Sequence, residues 1–101
     1  MKYLCVCDRG NVRSYALSLV LKRMNHEAIA IGRFTMKPET IKMLCEWADA
    51  VVLMEPHMRE SIPELYHPKT WVIDVGPDRW GAQIDPELKD LVEEGAAFLG
   101  R

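Results

Sequence analysis

Lys2-Tyr3-Leu4-Cys5-Val6-Cys7-Asp8-Arg9-Gly10-Asn11-Val12-Arg13-Ser14 runs from an apolar segment into a polar loop, and helical periodicity starts on its far side. Lys2 to Cys7 is apolar enough for a buried strand. From Ser14 to Met24, apolar residues at Tyr15, Leu17, Leu19, Val20, Leu21 and Met24 predict a helix with one broad buried face. A strand that passes through a short loop directly into a helix is the opening unit of a parallel α/β sheet.

The rest of the chain repeats that alternation. Ala28 to Ile31 reads as a second strand, closed by Gly32, and Pro38 suits the first turn of a helix running to about Trp47. Ala50 to Met54 is the third strand. Pro56 opens another helical stretch that Pro63 ends or kinks. Trp71 to Val75 is the fourth strand, broken by Gly76-Pro77-Asp78. Asp85 fits the N-cap of a last helix, with Pro86 at its first position and Leu88, Leu91, Val92, Ala96 and Leu99 at helical spacing. Gly95 within it costs roughly 1 kcal/mol relative to alanine. Right-handed crossovers then predict an α/β fold with a four-stranded parallel sheet in the order 2-1-3-4, flanked by helices on both faces. Such a sheet reverses direction beside its first strand, and ligands bind at the carboxyl ends of strands near that point. Cys7 lies at that end of strand one.

Composition narrows the function classes. A chain of 101 residues supports one domain over 1–101. A net charge of -2 without basic runs gives no reason to expect nucleic acid or an anionic membrane as partner. No apolar stretch approaches the length of a membrane span. The first residues lack the small-residue cleavage site of a signal peptide, so a cytoplasmic location is expected. Cys5, Cys7 and Cys45 are odd in number and lack ligand-type spacing, which favours reduced thiols over disulfides or zinc. His26, His57 and His67 share no metal spacing with them. No cofactor or metal is therefore expected.

The loop from Cys7 to Ser14 has the residues for anion chemistry. Between a strand and a helix, the backbone N–H groups of Asp8, Arg9, Gly10, Asn11 and Val12 can turn inward, and the helix N-terminus adds positive partial charge. A tetrahedral dianion fits such a cradle, and the same field favours a thiolate at Cys7. Arg13 offers a planar fork for two phosphate oxygens. Ser14 can donate a hydrogen bond to the thiolate, and Gly10 permits a left-handed backbone. Only Cys7 has arginine six positions on and serine or threonine next. The alternative is a buried core thiol beside a solvated helix arginine. Cys5 shares a strand face with Cys7, about 7 Å away between α-carbons, and reads as core filling, as does Cys45 beside Ile41 and Leu44. His57 follows strand three and can reach the cleft, but it reads as a solvent-facing or capping residue. Trp80 is either an aromatic wall for a substrate or a cover for the core.

At these residues the sequence resembles the low-molecular-weight protein tyrosine phosphatases, whose loop is cysteine, five residues, arginine, then serine or threonine. Trp47-Ala48-Asp49-Ala50-Val51-Val52-Leu53-Met54-Glu55 is similar to the family's Ala-Asp, apolar strand, Met stretch. Asp78-Arg79-Trp80-Gly81 resembles its acid loop, and Asp85-Pro86-Glu87-Leu88 opens a last helix as in short bacterial relatives. The resemblance implies hydrolysis of a phosphorylated protein or a small phosphomonoester through a phosphocysteine on Cys7, with Arg13 as clamp and Asp78 as general acid and base. Asp74 lies inside the strand pattern, and Asp85 is better used as a cap. The chain departs from the family at Gly10, where asparagine is common, and at Val12, where some members have a second cysteine. It departs again at Arg79, which replaces proline, and in a short Arg33 to Lys37 linker where a pocket wall is usual. Three alternatives stand beside it. An arsenate reductase would need further resolving cysteines, and a phosphocysteine carrier would lack the fixed arginine. The third is a non-catalytic phosphate- or phosphopeptide-binding module.

Overall fold

The computed structural model describes residues 1–10, 12–77, 79–80 and 85–99. Its strands are β1 (Lys2–Cys7), β2 (Glu27–Gly32), β3 (Ala50–Leu53) and β4 (Thr70–Val72), and its α-helices are α1 (Arg13–Arg23), α2 (Pro38–Trp47) and α3 (Pro86–Leu99). The strands form one parallel sheet in the order β2-β1-β3-β4, as the alternation predicted. Five of the six residues of β1 and all four of β3 are buried. Continuous burial without alternation is what a parallel sheet covered on both faces requires. The step from β1 to β2 runs one way and the step from β2 to β3 runs back across β1. With right-handed crossovers this puts α1 and α2 on opposite faces, and α3 packs against α1.

Several boundaries differ from the sequence reading, each for a local reason. In α1 the buried face is Arg13, Ser14, Ala16, Leu17, Ser18, Val20 and Leu21, while Tyr15 and Met24 are exposed. Polar side chains enter this face because they have partners there; Ser18 Oγ donates to the carbonyl of Tyr15 at 2.7 Å. The stretch opened by Pro56 is two short 3₁₀ helices, Pro56–Ser61 and Glu64–Lys69, separated at Pro63. Strand four ends at Val72 and not at Val75. Ile73 N still donates to Leu53 O at 2.9 Å, but Asp74 Oδ1 then accepts the Gly76 N–H at 2.9 Å. That side-chain turn shifts the backbone out of the ladder's register, so that Val75 N reaches Met54 O at 3.3 Å. Asp74 therefore lies beyond the strand.

The last helix begins as expected. Asp85 Oδ1 accepts the N–H groups of Glu87 at 3.0 Å and Leu88 at 3.4 Å. Gly95 has a packing cause: a β-carbon there would lie 2.5 Å from Ile73 Cγ2. Close approach of α3 to the segment after β4 excludes a side chain at that point.

Candidate active site

Cys7 is the last residue of β1 and pairs with Gly32, the last residue of β2. The loop after it is clamped to the end of β2 by main-chain contacts. Arg33 N donates to Cys7 O at 2.8 Å, and Phe34 N donates to Asp8 O at 3.1 Å. Gly10 has φ of 82°, and a β-carbon on it would fall 2.5 Å from Gly32 N. A β-carbon on Gly32 would fall 2.2 Å from the Arg9 carbonyl carbon. Both glycines are needed, one for its left-handed backbone and both for the approach of two chains. Asparagine tolerates the same backbone region, but no side chain fits at Gly10 here. The folded-back loop brings Gly10 N to 3.0 Å from Cys7 Sγ, and Ser14 Oγ stands 3.0 Å from the same sulfur. The Gly10 N–H donates to the sulfur, and in the Ser14 contact either the hydroxyl or the thiol can donate. Ser14 Oγ is also 3.4 Å from Ile31 O, so its one proton can go to that carbonyl or to the sulfur. Val12 caps α1 with no side-chain hydrogen bond, and its carbonyl accepts from Ala16 N at 2.9 Å.

Arg13 is fully buried, with relative exposure of 0%. Its Nη1 donates to Glu55 Oε1, and to Gly76 O at 2.9 Å, while Nη2 reaches Asp8 Oδ2 at 3.3 Å. Its Nε is buried and has no partner among the described residues. An orphan buried donor is costly, and it is the group an oxyanion would satisfy. Asp8 also accepts from Arg33 Nε at 2.8 Å. Burial by itself would raise the Asp8 pKa. The Arg33 hydrogen bond and charge, with smaller contributions from Arg13 and His57, outweigh it and hold the carboxyl below the ordinary aspartate value. The Asp8 carboxylate is thus an anion bound to two arginines.

Of the other expected site residues, Arg9 and Val12 lie in the loop, with Arg9 exposed and Val12 packed against the core. Asn11 and Asp78 lie outside the described residues. Trp80 is 6% exposed within the core cluster, and the Arg79 guanidinium sits 3.8 Å from its ring centroid. The indole therefore packs inward and is roofed by Arg79. Cys5 and Cys45 are buried and free, as expected of core residues. Burial, with the nearby Cys7, raises the Cys5 thiol to about 12, and burial raises Cys45 to about 11. His57 Nδ1 is 3.5 Å from Glu55 Oε2, at the edge of the Arg13 cluster. Two contributors to the site were given no role by the sequence reading, Glu55 and Arg33. Both follow carboxyl ends of strands beside β1, where the rule for ligand sites in parallel sheets would have directed attention.

No protein-family model and no curated protein matches the sequence. Solved structures do match in shape. Wzb of Vibrio vulnificus in complex with benzylphosphonate aligns with a TM-score of 0.77 at 19% identity, over 97% of this chain and 95% of that one. The YwlE arginine phosphatase of Geobacillus stearothermophilus aligns at 0.69 and 19% identity, over 98% and 92% of the two chains. A YwlE cysteine-to-serine mutant with a phosphorylated active-site serine aligns at 0.71 and 20% identity, over 100% and 97%. The chain has the fold of these phosphatases over nearly its whole length.

Proposed function

We propose that the protein is a cysteine-dependent phosphatase of the low-molecular-weight tyrosine phosphatase type, hydrolysing a phosphomonoester through a phosphocysteine on Cys7. The observation that carries this reading is the orphan Nε of a fully buried Arg13, at the start of a helix that follows a sulfur in contact with the Gly10 N–H and the Ser14 hydroxyl. In the first step the Cys7 thiolate attacks phosphorus. The S–P bond forms as the ester P–O bond breaks, and Asp78 protonates the departing oxygen. In the second step the ionised Asp78 takes a proton from water as its oxygen attacks phosphorus. Inorganic phosphate leaves, and the electron pair returns to sulfur, where the Ser14 hydroxyl stabilises it. Arg13 binds equatorial oxygens through both steps. The substrate class is a phosphorylated protein or a small aryl phosphate, acted on in the cytoplasm. Phe34 supports an aryl group: its N–H is fixed to the loop at Asp8 O, and the residue is 68% exposed.

Hydrolysis of para-nitrophenyl phosphate tests the assignment. Cys7→Ser should abolish turnover and keep vanadate binding, because the cradle is unchanged while the nucleophile is lost. Retention of more than about a tenth of wild-type activity would place the nucleophile elsewhere.

A further inference from the structure

Asp8 is an unusual neighbour for a bound dianion. It directly follows the nucleophile, and its carboxylate occupies Nη2 of the arginine that is to hold the phosphoryl group. Glu55 is already on Nη1 of the same guanidinium, so a phosphate would be a third negative group there, and the repulsion is eased only where a further cation intervenes. Arg33 is placed to do so. Its Nε donates to Asp8 Oδ1 at 2.8 Å, and its Nη1 reaches Glu60 Oε1 at 2.9 Å and Ser61 Oγ at 3.2 Å. Its guanidinium also lies 4.2 Å from the Phe34 ring centroid. These contacts from the first 3₁₀ helix and from Phe34 hold the side chain, which is only 6% exposed. The chain of contacts runs from Glu60 through Arg33 and Asp8 to Arg13.

We propose that Arg33 is a positioning residue for phosphoryl binding: it neutralises Asp8 so that Arg13 can accept a dianion. The inference rests on the phosphatase reading and adds a second arginine to it, one that acts through Asp8 and does not touch the substrate. Without Arg33 the Asp8 carboxylate would face the incoming phosphate uncompensated and draw Arg13 onto itself. The defect would then be electrostatic and curable by removing the charge on Asp8.

Calorimetric binding of inorganic phosphate, with para-nitrophenyl phosphate turnover alongside, separates the outcomes. Arg33→Gln should weaken phosphate binding roughly tenfold or more, in line with couplings between contacting charged groups. Asp8→Asn in the Arg33→Gln background should recover most of that loss, and Arg33→Lys should stay within about threefold of wild type because it keeps the cation. A merely structural role for Arg33 would not be repaired by a second substitution at Asp8. Wild-type affinity in Arg33→Gln, or a double variant no better than the single one, would overturn the proposal while leaving the phosphatase reading intact. A wild-type protein that neither binds phosphate nor hydrolyses the ester would overturn both. Should Arg33→Gln not fold, Arg33→Lys decides: a loss of about tenfold or more there would show that charge is not what Arg33 supplies.

Discussion

Of the aspartates after β4, Asp74 and Asp78 lie four positions apart, and each has a carboxyl group that could in principle protonate a leaving oxygen. Asp74 is occupied: its Oδ1 accepts the Gly76 N–H, in the turn that delivers Gly76 O to Arg13. Asparagine at that position keeps an oxygen for the same bond, so Asp74→Asn should preserve the turn and most of the turnover. Asp78 matches the acid of the resembled phosphatases, and its removal should behave as loss of a general acid. Asp78→Asn should slow phenyl phosphate by roughly 10²–10⁴-fold. It should slow a dinitrophenyl ester much less, because that leaving group departs without a proton. Initial rates on the two esters check this, under conditions where formation of the intermediate limits the rate. Equal slowing of both esters, or a stronger leaving-group dependence in Asp74→Asn, would move the acid away from Asp78.

Gly95 shows how one element's sequence answers to another's position. By propensity alone, alanine in the middle of α3 should gain about 1 kcal/mol. The β-carbon would meet Ile73 Cγ2 at 2.5 Å and Cδ1 at 2.8 Å, and overpacking of that kind costs about 1–3 kcal/mol. Gly95→Ala should therefore lower the denaturation midpoint. In an Ile73→Ala background, where the obstructing carbons are gone, the same substitution should raise it. Urea titrations of the four proteins test this, and a Gly95→Ala gain in both backgrounds would show that Ile73 is not the constraint. The same limit explains what could be read from the sequence. Strand order, the loop after β1 and the start of α3 were legible because each rests on neighbours along the chain: apolar runs, crossover handedness, an aspartate before a proline. The inward packing of Trp80 and the burial of Arg13 depend on partners far away in sequence, while β4 ends early through a short-range side-chain bond from Gly76 N to Asp74 that apolar periodicity does not register. Glu55 and Arg33 look like ordinary charged residues until the sheet order places them beside Arg13 and Asp8.

Across the whole molecule, Arg13 is held by groups from several elements. Asp8 comes from the loop after β1, Glu55 from the residues after β3, and Gly76 from the segment after β4, while Arg33 braces Asp8 from the end of β2. The carboxyl ends of all four strands thus meet around one guanidinium, and the parallel order β2-β1-β3-β4 with β1 inside makes that possible. A dianion that fills the loop and satisfies the Arg13 Nε binds only when those ends are together, so it should stabilise the entire fold. At a hundredfold excess over its dissociation constant, such a ligand contributes about 2.7 kcal/mol. For a chain of this length that corresponds to a rise in Tm on the order of 10 °C. Phosphate or vanadate should produce the shift, and chloride at matched ionic strength should not. Arg13→Lys keeps one charge but cannot serve Glu55, Gly76, Asp8 and an oxyanion together, so it should start from a lower Tm and respond far less. A full phosphate-dependent shift in Arg13→Lys would mean that the anion binds without the arginine and that the four strand ends are held together by something other than its guanidinium.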